Sequence, residues 1–326
     1  MSILQQMLYG FSVCFEPFNI FACFIGCFLG TLVGVLPGLG PVAAISLLLP
    51  ITFMMPTTAS LIMLAGIFYG AMYGGSTTSI LINIPGESAA VVTCFDGYQM
   101  ARKGRAGAAL GIAAFGSFIA GTFGILCLTL LAPPLTSLAL KFGPPEYVGI
   151  ITFSLSMVAY LSGKSLLKAY IMAVMGLLLG TIGVDPMLGG PRFTYGISSL
   201  LNGLNIAPLV MGLFGVTEVL DNIEKSIKQD VFETKFKGLL PNKQEWKQSA
   251  LPIARGTFLG FFMGILPGVG AIIPTFISYS LEKRLSKHPE KFGTGTIEGV
   301  AAPESANNAA SMGGFTTLLT LGVPTS

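Results

Sequence analysis

The chain has 326 residues, 52% apolar and only 10% charged, where a soluble domain carries roughly 25% charged residues. A mean hydropathy of +0.75, with 42 glycines and 20 prolines, excludes a water-soluble fold. The net charge of +3 is scattered between apolar runs, which excludes a basic face for nucleic acid, and the runs are continuously apolar rather than alternating, which excludes a β-barrel.

In chain order, residues 17–86, 106–140, 193–217, 256–281 and 305–326 contain no Asp, Glu, Lys or Arg. Each reaches the roughly 20 residues that cross a hydrocarbon core. The expected fold is an all-α polytopic membrane protein with space for about eight or nine hydrophobic segments. No Lys or Arg precedes Arg102, so no basic region of a cleavable signal is expected. The five cysteines (Cys14, Cys23, Cys27, Cys94 and Cys127) lack CxxC spacing and read as thiols packed among helices.

Lys and Arg in short loops favour the cytoplasm, which places Arg102, Lys103 and Arg105 there. Residues 108–132 then cross outward to a loop holding Pro133, Pro134, Lys141 and Glu146. Residues 147–163 return to Lys164 and Lys168, 169–184 cross out to a loop at 185–199, and 200–219 return. Residues 221–249, with six lysines and five acidic residues, form a cytoplasmic polar segment. The run 256–281 has basic residues at both ends and Pro267-Gly268-Val269-Gly270 in its middle, so it reads as a hairpin that dips in and leaves on one side.

An internal repeat is visible. GCFLGTLVGVLPGLG (26–40) matches GTFLGFFMGILPGVG (256–270) at nine of fifteen positions. GGSTTSILINIP (74–85) aligns with GGFTTLLTLGVP (313–324) after a nine-residue insertion in the second copy. The chain divides accordingly: repeat 1 at 1–107, four transmembrane helices at 108–220, the polar segment at 221–249, and repeat 2 at 250–326. The second copy begins after a Lys-rich segment and the first near an uncharged N-terminus, which suggests that the repeats are inverted.

Each motif has two readings. Glycines at every fourth position let helix backbones approach closely, which is packing. Pro37, Gly38 and Gly40, like Pro267, Gly268 and Gly270, stop a helix inside the membrane, and paired breaks of this kind point to a transporter's binding site. Gly74, Gly75, Ser76, Thr77, Thr78 and Ser79 place four hydroxyls at another expected break, with Asn83 close behind. Gly313, Gly314, Thr316 and Thr317 repeat the pattern. Such hydroxyls either bond back to their own helix or contact a ligand, and their clustering favours contact. Asn307 and Asn308 are a structural polar knot or part of the site. Glu87 and Glu304 are candidates for a proton or cation role, with an ordinary loop carboxylate the alternative for Glu87. His288 lies in a Lys-rich loop and carries no catalytic reading.

At these residues the sequence resembles the large membrane subunit of the tripartite tricarboxylate transporters, the TctA family. The resemblance rests on LPGLGPVAAISLLLPITF (36–53), YGAMYGGSTTSILINIPGE (69–87), DGYQMARKGRAGAALGIAAFGSF (96–118), APPLTSLALKFGPPEY (132–147), GLLLGTIGVDPMLGGPRFTYG (176–196), GILPGVGA (264–271) and APESANNAASMGG (302–314). It implies a bacterial inner-membrane secondary transporter for citrate-like carboxylates, driven by Na⁺ or H⁺. The implied partners are a periplasmic solute-binding protein and a small membrane subunit. The family's signatures fall on Pro37–Gly40, Gly74–Ser79, Pro267–Gly270 and Asn307–Thr317. Family members are longer, and the second copy stops at Gly322–Ser326, so complete transport is expected to need more than these residues.

No catalytic residue, metal site or cofactor is expected. The apolar runs hold no HExxH and no facing aspartates, so a membrane-embedded enzyme finds no support. Another inverted-repeat antiporter or channel is the alternative, and Glu87 and Glu304 are the ionisable groups it would use.

Overall fold

The computed structural model describes residues 3–36, 39–139, 165–185, 189–204, 240–266 and 269–322, with isolated positions between 141 and 220. Ten α-helices lie among these residues: α1 (Ile3–Cys14), α2 (Pro17–Gly34), α3 (Pro41–Thr52), α4 (Thr57–Ile82), α5 (Val91–Arg102), α6 (Ala106–Ala139), α7 (Leu166–Gly180), α8 (Lys243–Gly264), α9 (Ile272–Leu285) and α10 (Glu298–Leu321). The sheet among them is a two-stranded ribbon, β1 (Gly183–Val184) against β2 (Pro191–Arg192), with Gly183 opposite Arg192. Three helices are long and apolar enough to cross a membrane: α2, α4, and α6 over Ala106–Ser137. The architecture is the expected all-α membrane protein.

Local sequence sets the helix ends. Pro17 and Pro41 stand in the first turns of α2 and α3, where a missing N–H costs nothing. Asn242 and Glu245 form a reciprocal capping box at the start of α8. This helix begins inside the segment read as polar, taking up its last seven residues. At Pro133 and Pro134, where a loop was expected, α6 continues to Ala139. The apolar helix tolerates the prolines because the rest of its ladder persists. Residues 185–199 hold the ribbon's turn, closed by an Asp185–Arg192 ion pair at 3.0 Å. Most of the expected crossings at 147–163 and 200–219 lie outside the described residues.

The glycine stripes explain the core. A Cβ on Gly26, Gly30 or Gly34 of α2 would stand 2.4, 2.3 and 2.3 Å from the carbonyl oxygens of Met63, Ile67 and Ala71 on α4. A Cβ on Gly256, Gly260 or Gly264 of α8 would stand 2.4, 2.2 and 2.1 Å from those of Ala302, Ala306 and Ala310 on α10. The sequence alignment of Gly74 with Gly313 pairs these targets one for one. Gly74 itself faces Thr31, Gly34 and Val35, and Gly313 faces the matching Phe261, Gly264 and Ile265. Both copies therefore fold in one register, with α2 parallel to α4 and α8 parallel to α10.

Between these parallel helices the chain turns back. Arg255, nine residues before the end of α8, makes two hydrogen bonds of 2.6 Å to Glu282, ten residues past the start of α9. The arms of the hairpin therefore lie side by side. Arg105 pairs with Glu245 at the start of α8, and Lys103 Nζ donates to Thr294 O at 2.5 Å just beyond α9. Both ends of the hairpin thus sit at one basic face, as expected for a re-entrant element.

The two copies meet head to tail. Along α4, Phe68 packs edge-on against Phe315 of α10. Met72 Sδ accepts from Ser311 Oγ at 3.6 Å, and Ser76 reaches Glu304. One helix ascends as the other descends, so the repeats are inverted. Met72 and Ser311 are counterparts in the alignment, so the pseudo-twofold axis passes between them.

The inserted residues of the second copy have a defined place. Four residues join α3 to α4, whereas 286–297 join α9 to α10. This longer connection docks on Asp96 of α5. The fully buried carboxylate accepts from the backbone N–H of Gly293, Gly295 and Thr296 at 2.7–3.0 Å. Tyr279 Oη also donates to it, at 2.9 Å.

Candidate functional site

A cavity of about 350 Å³ opens at the pseudo-twofold axis. The first turn of α3 supplies Pro41 and Val42, and the loop after α8 with the first residue of α9 supplies Val269, Gly270, Ala271 and Ile272. Helices α3 and α9 begin at these residues. Two helix N-termini therefore point into one chamber, each with unpaired N–H groups and a positive dipole end.

The walls are chemically unequal. Phe68 and Met72 of α4 line the chamber, and their counterparts on α10 are Asn307 and Ser311. At these two positions the first copy presents apolar side chains and the second polar ones, set among Ala310, Gly314, Phe315 and Leu318. Glu87, Ser88 and Ala89 close a third side. Asn307 Nδ2 donates to Glu87 Oε1 at 3.0 Å, while Asn307 Oδ1 is buried without a hydrogen-bond partner.

Glu87 stands here because α4 ends early. Asn83 adopts a left-handed conformation (φ 58°) and stops the helix, just as its counterpart Gly322 (φ 70°) stops α10. The chain then folds back on α4: a Cβ on Gly86 would lie 2.3 Å from Gly75 Cα. Gly75 and Gly40 leave the space that Glu87 fills, since their Cβ positions lie 3.2 and 3.5 Å from its side chain.

Of the residues singled out in the sequence, Gly270, Glu87, Asn307 and Gly314 line the cavity, with Gly40 behind Glu87. Pro37, Gly38, Pro267 and Gly268 lie outside the described residues. The expected break at Gly74–Ser79 is instead continuous helix, and so is Gly313–Thr317. Gly74 and Gly313 serve close helix approach. Thr77, Thr78, Ser79 and Thr316 donate to carbonyls three or four residues back. Thr317 donates to Ile265 O at 2.7 Å, tying α10 to the end of α8. Asn308 faces away from the chamber and donates to Ser117 on α6 at 2.7 Å. Ser76 leaves its own helix to reach the second copy, donating to Glu304 Oε2 at 2.9 Å.

Residues 20–326 match the profile of the tripartite tricarboxylate transporter TctA family. The chain belongs to this family. An uncharacterized 52.8 kDa protein in the TAR-I ttuC' 3' region of Agrobacterium vitis is 53% identical over 324 residues. That alignment covers 99% of this chain, and the chain spans 64% of the relative's length. An uncharacterized protein in the TAR-II ttuC' 3' region of the same organism is 60% identical over 65 residues, 20% of this chain and 27% of that protein. No solved structure matches the chain.

The motif reading missed two polar anchors. Thr93 Oγ1 donates to Glu304 Oε1, and Asp96 binds the 293–296 loop. Both sit on α5, whose sequence VVTCFDGYQMAR has no break or repeat to mark it. The one available signal was an acidic residue followed by glycine in an otherwise apolar stretch.

Proposed function

We propose that the protein is the membrane permease subunit of a binding-protein-dependent secondary transporter. It takes up citrate-like tricarboxylates or related carboxylates across the bacterial inner membrane, driven by a Na⁺ or H⁺ gradient. A periplasmic solute-binding protein and a small membrane subunit are its partners. Family membership supports this reading, and one observation carries it at the site: the N-terminal ends of α3 and α9 converge on a single chamber. Such ends attract carboxylates without a basic residue, and none of the described lining residues is Lys or Arg. The chamber's size falls within the ~300–1,000 Å³ of small-molecule sites. Asn307 and Ser311 on α10 and Ser88 on the third side offer hydrogen bonds, while Glu87 suits a co-bound cation that offsets the substrate's charge.

The test is uptake of labelled citrate by the complete subunit, reconstituted with its small partner and binding protein. A Na⁺ gradient and a proton gradient are imposed in turn. Ser311→Leu narrows the chamber from α10 and abolishes uptake, whereas Thr77→Val, whose hydroxyl serves its own helix, leaves it intact. Normal uptake by Ser311→Leu would move the site elsewhere. Absence of carboxylate uptake by the wild-type assembly under either gradient would refute the proposed activity.

A further inference from the structure

Glu304 is the buried acidic group that the chamber does not use. It is 2% exposed, does not line the cavity, and sits where both copies meet. Thr93 of α5 donates to Oε1 and Ser76 of α4 donates to Oε2 at 2.9 Å. Among the described residues no cation pairs with it. Tyr73 on α4, Glu87 after α4 and Cys94 on α5 are the titratable groups within electrostatic reach. Asn308 on its own helix donates to its backbone carbonyl. A buried carboxylate held by neutral hydroxyls alone is costly as a bare charge, and an ionisable group buried against a membrane-length apolar helix such as α4 points to function.

We propose that Glu304 is the site of the coupling proton, which makes H⁺ the driving ion of the transport reaction proposed above. The oxygen spacing favours a proton over a metal ion. Both hydroxyls touch the carboxylate directly, which leaves no room for a cation to enter between the oxygens, whereas hard cations need several oxygens arranged around them.

The Ser76 hydroxyl serves both protonation states. Its oxygen lies 2.9 Å from Glu304 Oε2 and 3.2 Å from Met72 O. With the carboxylate ionised, Ser76 donates to Oε2. With the carboxyl protonated, Oε2–H donates to Ser76 Oγ, whose own proton turns to Met72 O. A hydroxyl rotor can make either choice, so neither state leaves a buried polar atom unpaired. Thr93 donates to Oε1 in both.

The site also joins moving parts. Its partners come from the first copy and its carboxyl from the second, so parting the copies removes the donors that stabilise the ionised form. Proton occupancy and copy arrangement are thereby linked. The connection runs past the pseudo-axis, because Met72 both accepts from Ser76 and lines the chamber.

The proposal rests on the transport reading, so its test has two independent readouts. The first is infrared spectroscopy of the purified full-length subunit, following the protonated-carboxyl C=O band across a pH titration. The band is present at neutral pH, and it loses in Glu304→Gln a component that survives in Glu87→Gln. In Ser76→Ala its titration midpoint moves up, because the ionised form loses a donor. A titration unchanged by Glu304→Gln would overturn the proposal even if no substrate is ever found.

The second readout is uptake in proteoliposomes containing the complete assembly. Glu304→Gln keeps side-chain size and hydrogen-bonding capacity, so exchange of labelled for unlabelled substrate persists. The acceleration of net uptake by a pH gradient falls by about tenfold, a typical coupling between linked sites. Wild-type uptake that follows Na⁺ and ignores pH would refute the proton and leave the transport reading standing. Absence of all uptake would refute the transport reading and leave the infrared result to decide Glu304.

Discussion

Replacing Gly30 or Gly260 by alanine tests whether both copies are held by the same backbone contact. A Cβ at Gly30 would lie 2.3 Å from Ile67 O and 2.7 Å from Ile67 Cα, and at Gly260 2.2 and 2.7 Å from the same atoms of Ala306. Ordinary contact begins at 3.4 Å, so each pair of helices must part by about 1 Å. The obstructing atoms are backbone and cannot rotate aside. A gap of 0.5–1 Å forfeits a quarter to a half of the dispersion attraction between facing atoms. Overpacking of a tight interface costs about 1–3 kcal/mol, and the rigid obstruction puts both variants near ~3 kcal/mol at the top of that range. Gly10→Ala is the control: it lies in helix α1 with nothing within 4 Å of its Cβ, so alanine is tolerated there. The assay is unfolding of the detergent-solubilised protein by heat and by denaturing detergent. Gly30→Ala and Gly260→Ala that unfold with the Gly10→Ala control would refute the packing argument. Unequal losses at the two sites would refute the equivalence of the copies.

Asp96→Asn removes the charge that gathers three backbone donors and Tyr279, which costs about 1.5–3 kcal/mol; it speeds amide exchange at Gly293–Thr296, and unchanged exchange would show that the loop holds itself. Cysteines at Met72 and Ser311 cross-link through a short thiol-specific reagent and stop turnover, while the same reagent on Thr77→Cys does neither; no cross-link at 72 and 311 would displace the pseudo-axis. Asn83→Val forces a β-branched residue into the left-handed region at a cost of about 1–2 kcal/mol, whereas Asn83→Gly is tolerated, as thermal unfolding of the two variants will show. Breaking the Arg255–Glu282 pair by Glu282→Ala strands Arg255, which is 36% exposed, so the loss is a modest ~1 kcal/mol; a larger loss in the unfolding assay would mean that the hairpin arms depend on this pair.

The parts legible in the sequence were those encoded by steric need. Only glycine permits backbones to meet at 2–3 Å Cβ distance, so the repeated stripes at Gly26–Gly34 and Gly256–Gly264 revealed both the duplication and the helix pairs. The break after α4 was misplaced because Gly74-Gly75 resembles a helix breaker. The same small residues instead admit α2 and the returning segment, while the actual stop is one left-handed asparagine. In the hydroxyl cluster Thr77, Thr78 and Ser79 bond back to α4, because in an apolar helix a Ser or Thr finds its own upstream carbonyl first. Thr93 and Asp96 could not be read as anchors, since their partners lie about two hundred residues away. Asn307 and Glu87 were both singled out, but what joins them is the inverted packing, which no local pattern records.

The insertion in the second copy makes a duplicated fold unequal at its two ends. At the basic face, Asp96 and Lys103 fasten the end of the first copy to the connection between α9 and α10, and Arg105 fastens it to the start of α8. Contacts gathered at one edge restrain displacement between the copies there. The eight extra residues of the connection from α9 to α10 thus do more than lengthen a loop: they give the second copy a grip on the first that the short connection between α3 and α4 has no chain to make.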